Sequence, residues 1–203
     1  MSRAESSRTA SSLTGIILAA GESSRMGRPK ALLPYRDGTF LSVLSGTLER
    51  FCSPVYAVFG FDAGQLMRHA PASVVAVDNP DYRLGMLTSL QAGLRAMDEL
   101  PERVLFTLVD HPAVARETVS ALLRSNAPVV IPRYSGKRGH PVIVSRAIAR
   151  EFIAEPPTSK LSDVIDRNAS LIQYLDVDDP GVREDIDDPQ MYSDLLARDG
   201  TRS

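Results

Sequence analysis

Thr14-Gly15-Ile16-Ile17-Leu18-Ala19-Ala20-Gly21-Glu22-Ser23-Ser24-Arg25-Met26-Gly27-Arg28-Pro29-Lys30 joins an apolar run to a glycine-containing loop. From Thr14 to Ala19 it is apolar and contains β-branched residues. A short run of this kind, without polar alternation, reads as a strand covered on both faces. A loop of a different character follows. Gly21 and Gly27 let backbone approach a ligand closely. Ser23, Ser24 and successive backbone N–H groups suit phosphate oxygens. Arg25 adds a planar cationic fork and Lys30 a mobile point charge. Five residues separate the glycines and Arg28-Pro29 follow, so the loop is not a P-loop, which needs four and then Lys-Ser/Thr. Gly21-Glu22-Ser23 also breaks the dinucleotide pattern Gly-x-Gly-x-x-Gly. A purely structural loop is the alternative that these letters leave open.

Outward from this stretch, strands and helices alternate. Helical spacing covers Thr39 to Phe51, Ala63 to His69, Leu84 to Leu100, Arg116 to Arg124, Ser145 to Ile153, Leu161 to Asn168 and Pro189 to Ala197. Strand-like runs cover Val55 to Phe59, Ser73 to Val77, Arg103 to Val109, Pro128 to Ile131, His140 to Val144 and Leu171 to Val177. The alternation predicts one α/β domain over 13–198, a Rossmann-like three-layer fold with a mainly parallel sheet. The Ser-rich stretch 1–12 reads as a disordered leader and 199–203 as a flexible tail. Ligands of such sheets sit beyond the carboxyl ends of the strands. That rule directs attention to 20–30, 79–89 and 110–112.

A length of 203 residues suits one domain. The 23 Lys+Arg against 25 Asp+Glu, net −2, lack the basic excess of a nucleic-acid binder. The single cysteine, Cys52, excludes an internal disulfide framework and a cysteine zinc cluster. No apolar run approaches the ~18 residues of a membrane span, and the start of the chain has no apolar signal region. These features predict a cytoplasmic protein with no membrane or nucleic-acid partner. Residues 160–199 hold eleven Asp+Glu and four Lys+Arg, whereas 1–50 hold four and seven. That asymmetry would suit an anionic ligand and a metal ion; the plainer reading is solvated surface.

Leu18-Ala19-Ala20-Gly21, Ser23, Arg25-Met26-Gly27 and Lys30 resemble the signature of nucleotidyltransferases related to the molybdenum cofactor cytidylyltransferases and guanylyltransferases. The resemblance continues in order through Asn79-Pro80-Asp81-Tyr82, Gly85-Met86, Ser89-Leu90, Asp110-His111-Pro112, Gly139-His140-Pro141-Val142 and Asp185-Ile186-Asp187-Asp188-Pro189. It implies a nucleotidyltransferase domain of the glycosyltransferase-A-like type. It further implies transfer of a nucleoside monophosphate, CMP from CTP, to the terminal phosphate of a molybdopterin-type acceptor, with release of pyrophosphate. Leu18, Ala19, Ala20, Gly21, Ser23, Arg25, Gly27, Lys30, Asn79 and Ser89 are then expected at the nucleotide. Gly139, His140 and Pro141 are expected at the acceptor. Arg25, Lys30 and Asp110 would be catalytic, and Asp110 with Asp187 would hold Mg²⁺, or Mn²⁺ in its place. A client molybdoenzyme is a further implied partner. The stretch Pro156 to Asp163 departs from the Gly-Asp and Gly-Ala-Arg segment of many cytidylyltransferases, which leaves the acceptor less defined.

Several of these residues also have structural readings. Asp110 closes an apolar strand, where a carboxylate serves a metal or caps a helix. Pro189 at a helix start makes Asp188 a natural cap. Two carboxylates meeting without a cation would repel, which predicts a raised pKa for one of the pair. His69 and His111 read as bystanders and Cys52 as a core residue. The competing functions are a sugar-1-phosphate nucleotidyltransferase and a non-catalytic nucleotide- or cofactor-binding regulator. Retention of Arg25, Lys30, Asp110 and Asp187 together favours an enzyme.

Overall fold

The computed structural model describes residues 13–200. The expected leader and positions 201–203 lie outside the described residues. The elements begin with β1 (Leu13–Ala19), a small hairpin of β2 (Pro34–Tyr35) and β3 (Gly38–Thr39), and α1 (Phe40–Leu48). They continue with β4 (Val55–Phe59), α2 (Ala63–Arg68), β5 (Val74–Asp78), α3 (Met86–Arg95) and β6 (Arg103–Leu108). Next come α4 (Arg116–Leu123), β7 (Val129–Tyr134), β8 (Lys137–Arg138), β9 (Val142–Ser145) and α5 (Arg146–Ala154). The chain closes with α6 (Leu161–Arg167), β10 (Ile172–Asp176) and α7 (Pro189–Gly200).

Strand β1 is buried along its whole length. Its side chains alternate between two cores: Leu13, Ile17 and Ala19 enter one, Ile16 and Leu18 the other. Helices α1, α2, α4 and α7 cover the first face through Leu44, Leu66, Leu122 and Leu195. Helices α3, α5 and α6 cover the second through Leu90, Phe152 and Val164. Three layers result, and the lack of polar alternation in β1 is their direct consequence. Burying Ile16 and Ile17 contributes about 1.5–3 kcal/mol each.

The main sheet runs β10-β7-β9-β6-β1-β4-β5, with β8 beside β7. All neighbouring pairs along β5, β4, β1 and β6 are parallel, as are β7 and β10; β9 lies antiparallel between β6 and β7. From β1 the chain moves out to β4 and β5, then crosses back to β6 on the other side of β1. This reversal opens a crevice at the carboxyl ends of β1 and β6, the place where such sheets bind ligands.

Element ends differ from expectation for local reasons. Gly85 adopts φ 122°, a region L side chains rarely enter, so the helix expected from Leu84 starts at Met86. Thr39 caps α1, its side chain accepting from the Ser42 N–H while the Ser42 side chain accepts from the Thr39 N–H. The strand expected from His140 starts at Val142. Asp199, expected in the tail, instead continues α7 and accepts hydrogen bonds from Tyr35 Oη and, at 2.9 Å, from Arg36 Nη2.

Asp179 is an anchor that sequence reasoning missed. It is buried, and its Oδ2 accepts from the Ala115 N–H at 3.0 Å and from Thr118 Oγ1 at 2.7 Å. Its Oδ1 accepts from the Gly181 N–H at 2.9 Å. One carboxylate thus ties the start of α4 to the segment leaving β10. Asp179→Ala leaves buried donors unpaired and should cost about 3 kcal/mol of stability. A urea midpoint unchanged by this substitution would contradict that role.

Candidate active site

The loop after β1 is shaped by its own backbone. Ser23 has φ 51° and Gly27 φ 70°, and the Met26 and Gly27 N–H groups donate to the Ser23 carbonyl at 3.0 and 3.2 Å. Met26 is buried in the core and pins the turn. Ser23 Oγ accepts from the Lys30 N–H at 3.2 Å. Lys30 then opens a single 3-10 turn, Lys30–Leu32, held by buried Ala31 and Leu33. The backbone of Lys30 is therefore fixed, and its side chain points back over the crevice.

There it meets two carboxylates. Lys30 Nζ donates to Asp110 Oδ2 at 2.9 Å and also to Asp187 Oδ1. Arg25 Nη2 donates to the other oxygen of Asp187. Asp110 lies two residues beyond β6, beside the start of the first loop, because the Val109 N–H donates to the Leu18 carbonyl at 3.0 Å. Asp187 arrives by a route that strand order alone did not predict. Strand β10 ends at the far edge of the sheet. The chain then returns across it: the His140 N–H donates to the Val182 carbonyl at 2.7 Å, and the Ile186 N–H to the Asp110 carbonyl at 2.9 Å. Ile186 is only 2% exposed, so it fixes its neighbour Asp187 against Asp110.

Burial alone would lower the Lys30 pKa, but the charge of Asp110 and the hydrogen bonds to both carboxylates outweigh it and raise the value. The hydrogen bond from Lys30, more than the charge of Arg25, holds Asp187 below the usual carboxylate range. The raised value expected for one of the pair is not found at Asp187, because a cation, Lys30, already stands between the carboxylates. Asp110 Oδ1 is buried and has no hydrogen-bond partner. An orphaned acceptor beside a second carboxylate fits a divalent ion. Among the described residues no three His, Cys, Asp or Glu converge on one point. Two carboxylates with substrate oxygens and water are what Mg²⁺ commonly takes.

The cleft above this cluster is lined by Leu18, Ala19, Ala20, Gly21, Ser23, Arg25, Lys30, Ser89, Asp110 and Asp187. Gly27 and Asn79 do not line it. Gly27 closes the turn described above. Asn79 is buried, donating to Thr88 Oγ1 at 3.1 Å and Ser89 Oγ at 3.0 Å, and so sets how α3 meets the cleft. Gly60, unremarked in the sequence, is needed there, because a Cβ would come within 2.4 Å of Tyr82 Cβ and 2.9 Å of the Ala20 carbonyl.

A second, more apolar cavity adjoins the first, sharing Gly85 and Met86. Gly139, His140, Phe106 and Lys160 line it; Pro141 does not. A Cβ at Gly139 would sit 2.2 Å from the Val182 carbonyl oxygen, so glycine lets the returning segment pass. The His140 ring packs on Phe106 and on His111, at 6.1 and 5.2 Å between centroids. Burial, with His111 beside it, lowers the His140 pKa to about 3, so the ring is neutral. Its Nδ1 is buried without a partner. Burial likewise lowers His111, against the opposing charge of Asp110. His111 Nδ1 lies 3.4 Å from the Gly181 carbonyl, which makes it part of the packing under the site.

The model of the MobA-like NTP transferase domain matches residues 15–171. The chain is 32% identical over 183 residues to the molybdenum cofactor cytidylyltransferase of Escherichia coli (strain K12), covering 84% of this chain and 93% of that protein. It is 33% identical to the nicotine blue oxidoreductase of Paenarthrobacter nicotinovorans, over 89% of this chain and 95% of that protein. It is 35% identical to a probable molybdenum cofactor guanylyltransferase of Mycobacterium bovis (strain BCG / Pasteur 1173P2), over 78% and 82%. Among solved structures, the Rv0371C complex with manganese from Mycobacterium tuberculosis H37Rv superposes with a TM-score of 0.71 at 27% identity, covering 93% of this chain and all of that one.

The depressed Asp187 carboxyl contributes stability above its ordinary pKa of 3.8 and loses it as pH falls through the lower folded value. Asp187→Asn should therefore be less stable than wild type near neutrality, with the gap closing in acid below pH 3.8. Urea midpoints of the two proteins across that range test this; a gap independent of pH would contradict it.

Proposed function

Because this chain belongs to the MobA-like NTP transferase family, we propose that it transfers CMP from CTP to the terminal phosphate of a molybdopterin-type acceptor. The observation that carries the reading is the meeting of Arg25, Lys30, Asp110 and Asp187 at the mouth of the β1–β6 crevice, next to a second cavity.

An acceptor phosphate oxygen attacks the α-phosphorus of the nucleotide. The new P–O bond forms as the bond to the β-phosphate oxygen breaks, and pyrophosphate departs with that electron pair. The acceptor is already anionic, so no protein nucleophile is required. Charge grows on the α-phosphoryl oxygens and on the leaving group, and fixed cations aimed at that charge are the main catalytic requirement. Arg25 and Lys30 are those cations. Asp110 and Asp187 would hold Mg²⁺, which when bound neutralises phosphate charge. Gly21 and Ser23 let the triphosphate approach the loop backbone. The second cavity would take the acceptor, with Gly139 and His140 in its wall. Fixing both anions across the shared Gly85–Met86 boundary supplies the orientation that the transfer needs.

Two features support CTP over GTP: the Leu18-Ala19-Ala20-Gly21 form of the loop, and the place of Ala20 on the cleft wall, where its methyl beside the base would crowd a purine more than a pyrimidine. No described helix is long and apolar enough to cross a membrane.

Incubation with each nucleoside triphosphate, Mg²⁺ and molybdopterin cofactor should release pyrophosphate fastest with CTP, and mass analysis should find the cytosine dinucleotide. Arg25→Ala should keep its fold and lose about 10²–10³-fold in rate. Nucleotide binding without pyrophosphate release would reject the transferase reading; equal rates with CTP and GTP would reject the base preference.

A further inference from the structure

Lys30 Nζ occupies the point where the two carboxylates converge, bonded to both. A divalent ion held by the same pair would need that point. Two cations cannot share it, because the ammonium already fills the space between the carboxylates and donates to one oxygen of each. The Lys30 side chain is 11% exposed, whereas that of Arg25, which touches Asp187 from outside, is 67% exposed. Arg25 can withdraw into water at little cost; Lys30 cannot leave without another anion to meet it. Its backbone is pinned by Ser23 Oγ and by the buried residues after it, so only rotation of the side chain moves the ammonium. The open direction is the cleft bounded by Ala20, Gly21 and Ser23.

We propose that Lys30 gates the Asp110–Asp187 pair: its ammonium excludes a divalent cation until a triphosphate in the cleft draws it away, so that metal and nucleotide enter together. This rests on the proposed function in taking the two carboxylates as metal ligands. Neither partner gains its full binding alone. The ion by itself must displace a bonded ammonium that has no new anion to contact. The triphosphate by itself pulls Lys30 from two carboxylates and leaves them facing each other. Thermodynamic linkage makes the coupling reciprocal. Lys30 thus has two positions, on the carboxylates and on the phosphates, and it protects the pair from filling with whichever divalent ion is abundant.

Binding of Mn²⁺ alone, followed by its free-ion electron paramagnetic resonance signal, tests this without turnover. Lys30→Met should bind Mn²⁺ about tenfold more tightly than wild type, within the range usual for coupled sites. Arg25→Ala should change affinity far less. Adding Asp110→Asn to Lys30→Met should remove the gain. If Lys30→Met binds no more tightly but the double variant binds more weakly than it does, the carboxylates hold the metal and the gate is overturned. If Lys30→Met gains affinity that Asp110→Asn leaves intact, the gain arises elsewhere, and both the gate and the ligand assignment fall. Circular dichroism checks the fold of each variant. Lys30→Gln, which keeps a hydrogen bond without the charge, should also bind more tightly than wild type, and equality with wild type would overturn the proposal if Lys30→Met does not fold.

Discussion

The contact of the Lys30 ammonium with Asp110 and Asp187 is the constraint on which the rest of the site depends. Two unit charges ~4 Å apart interact by about 4 kcal/mol at an effective dielectric of 20. Without the ammonium, the carboxylates would repel on that scale; without the carboxylates, a half-buried lysine would have no counter-charge. Each offsets the charge of the other, so three segments from distant parts of the chain are tied together here. The loop after β1 supplies Lys30, the end of β6 supplies Asp110, and the segment before α7 supplies Asp187.

The fold makes this meeting a matter of backbone geometry. Parallel pairing of β1 with β6 in the register Leu18–Leu108 puts the two loops side by side. The returning segment is threaded by main-chain bonds at Val182 and Ile186 and anchored behind by Asp179. Gly139 gives it room to pass under the second cavity. The same segment therefore positions Asp187 in one cavity and supports His140 in the other. That sharing couples the two halves of the site through packing.

Much of the central sheet was legible because β1 and β6 are apolar on both faces, a pattern only a doubly covered strand tolerates. The first loop was legible because its glycines, hydroxyls and cations have little other reason to follow a buried strand. What stayed hidden was set by tertiary contacts. Nothing in Val142–Ser145 announces an antiparallel strand between two parallel neighbours. Asn79 belongs to a family motif yet works by holding α3. The nearness of Asp110 and Asp187, 77 positions apart, follows from the Ile186 bond rather than from where β10 ends. The placement of Lys30 between them reversed the expected charge balance, because a chain can supply its own cation to an acidic pair.

On the proposed function, the carboxylate pair and Lys30 handle the metal and triphosphate of one nucleotide. A crystal structure with Mn²⁺ and a non-hydrolysable CTP analogue, with the metal placed by anomalous scattering, tests it directly. The ion should lie on both Asp110 and Asp187, with Lys30 Nζ moved onto a phosphate oxygen. An ion bound elsewhere, with Lys30 still bridging the two carboxylates, would contradict it.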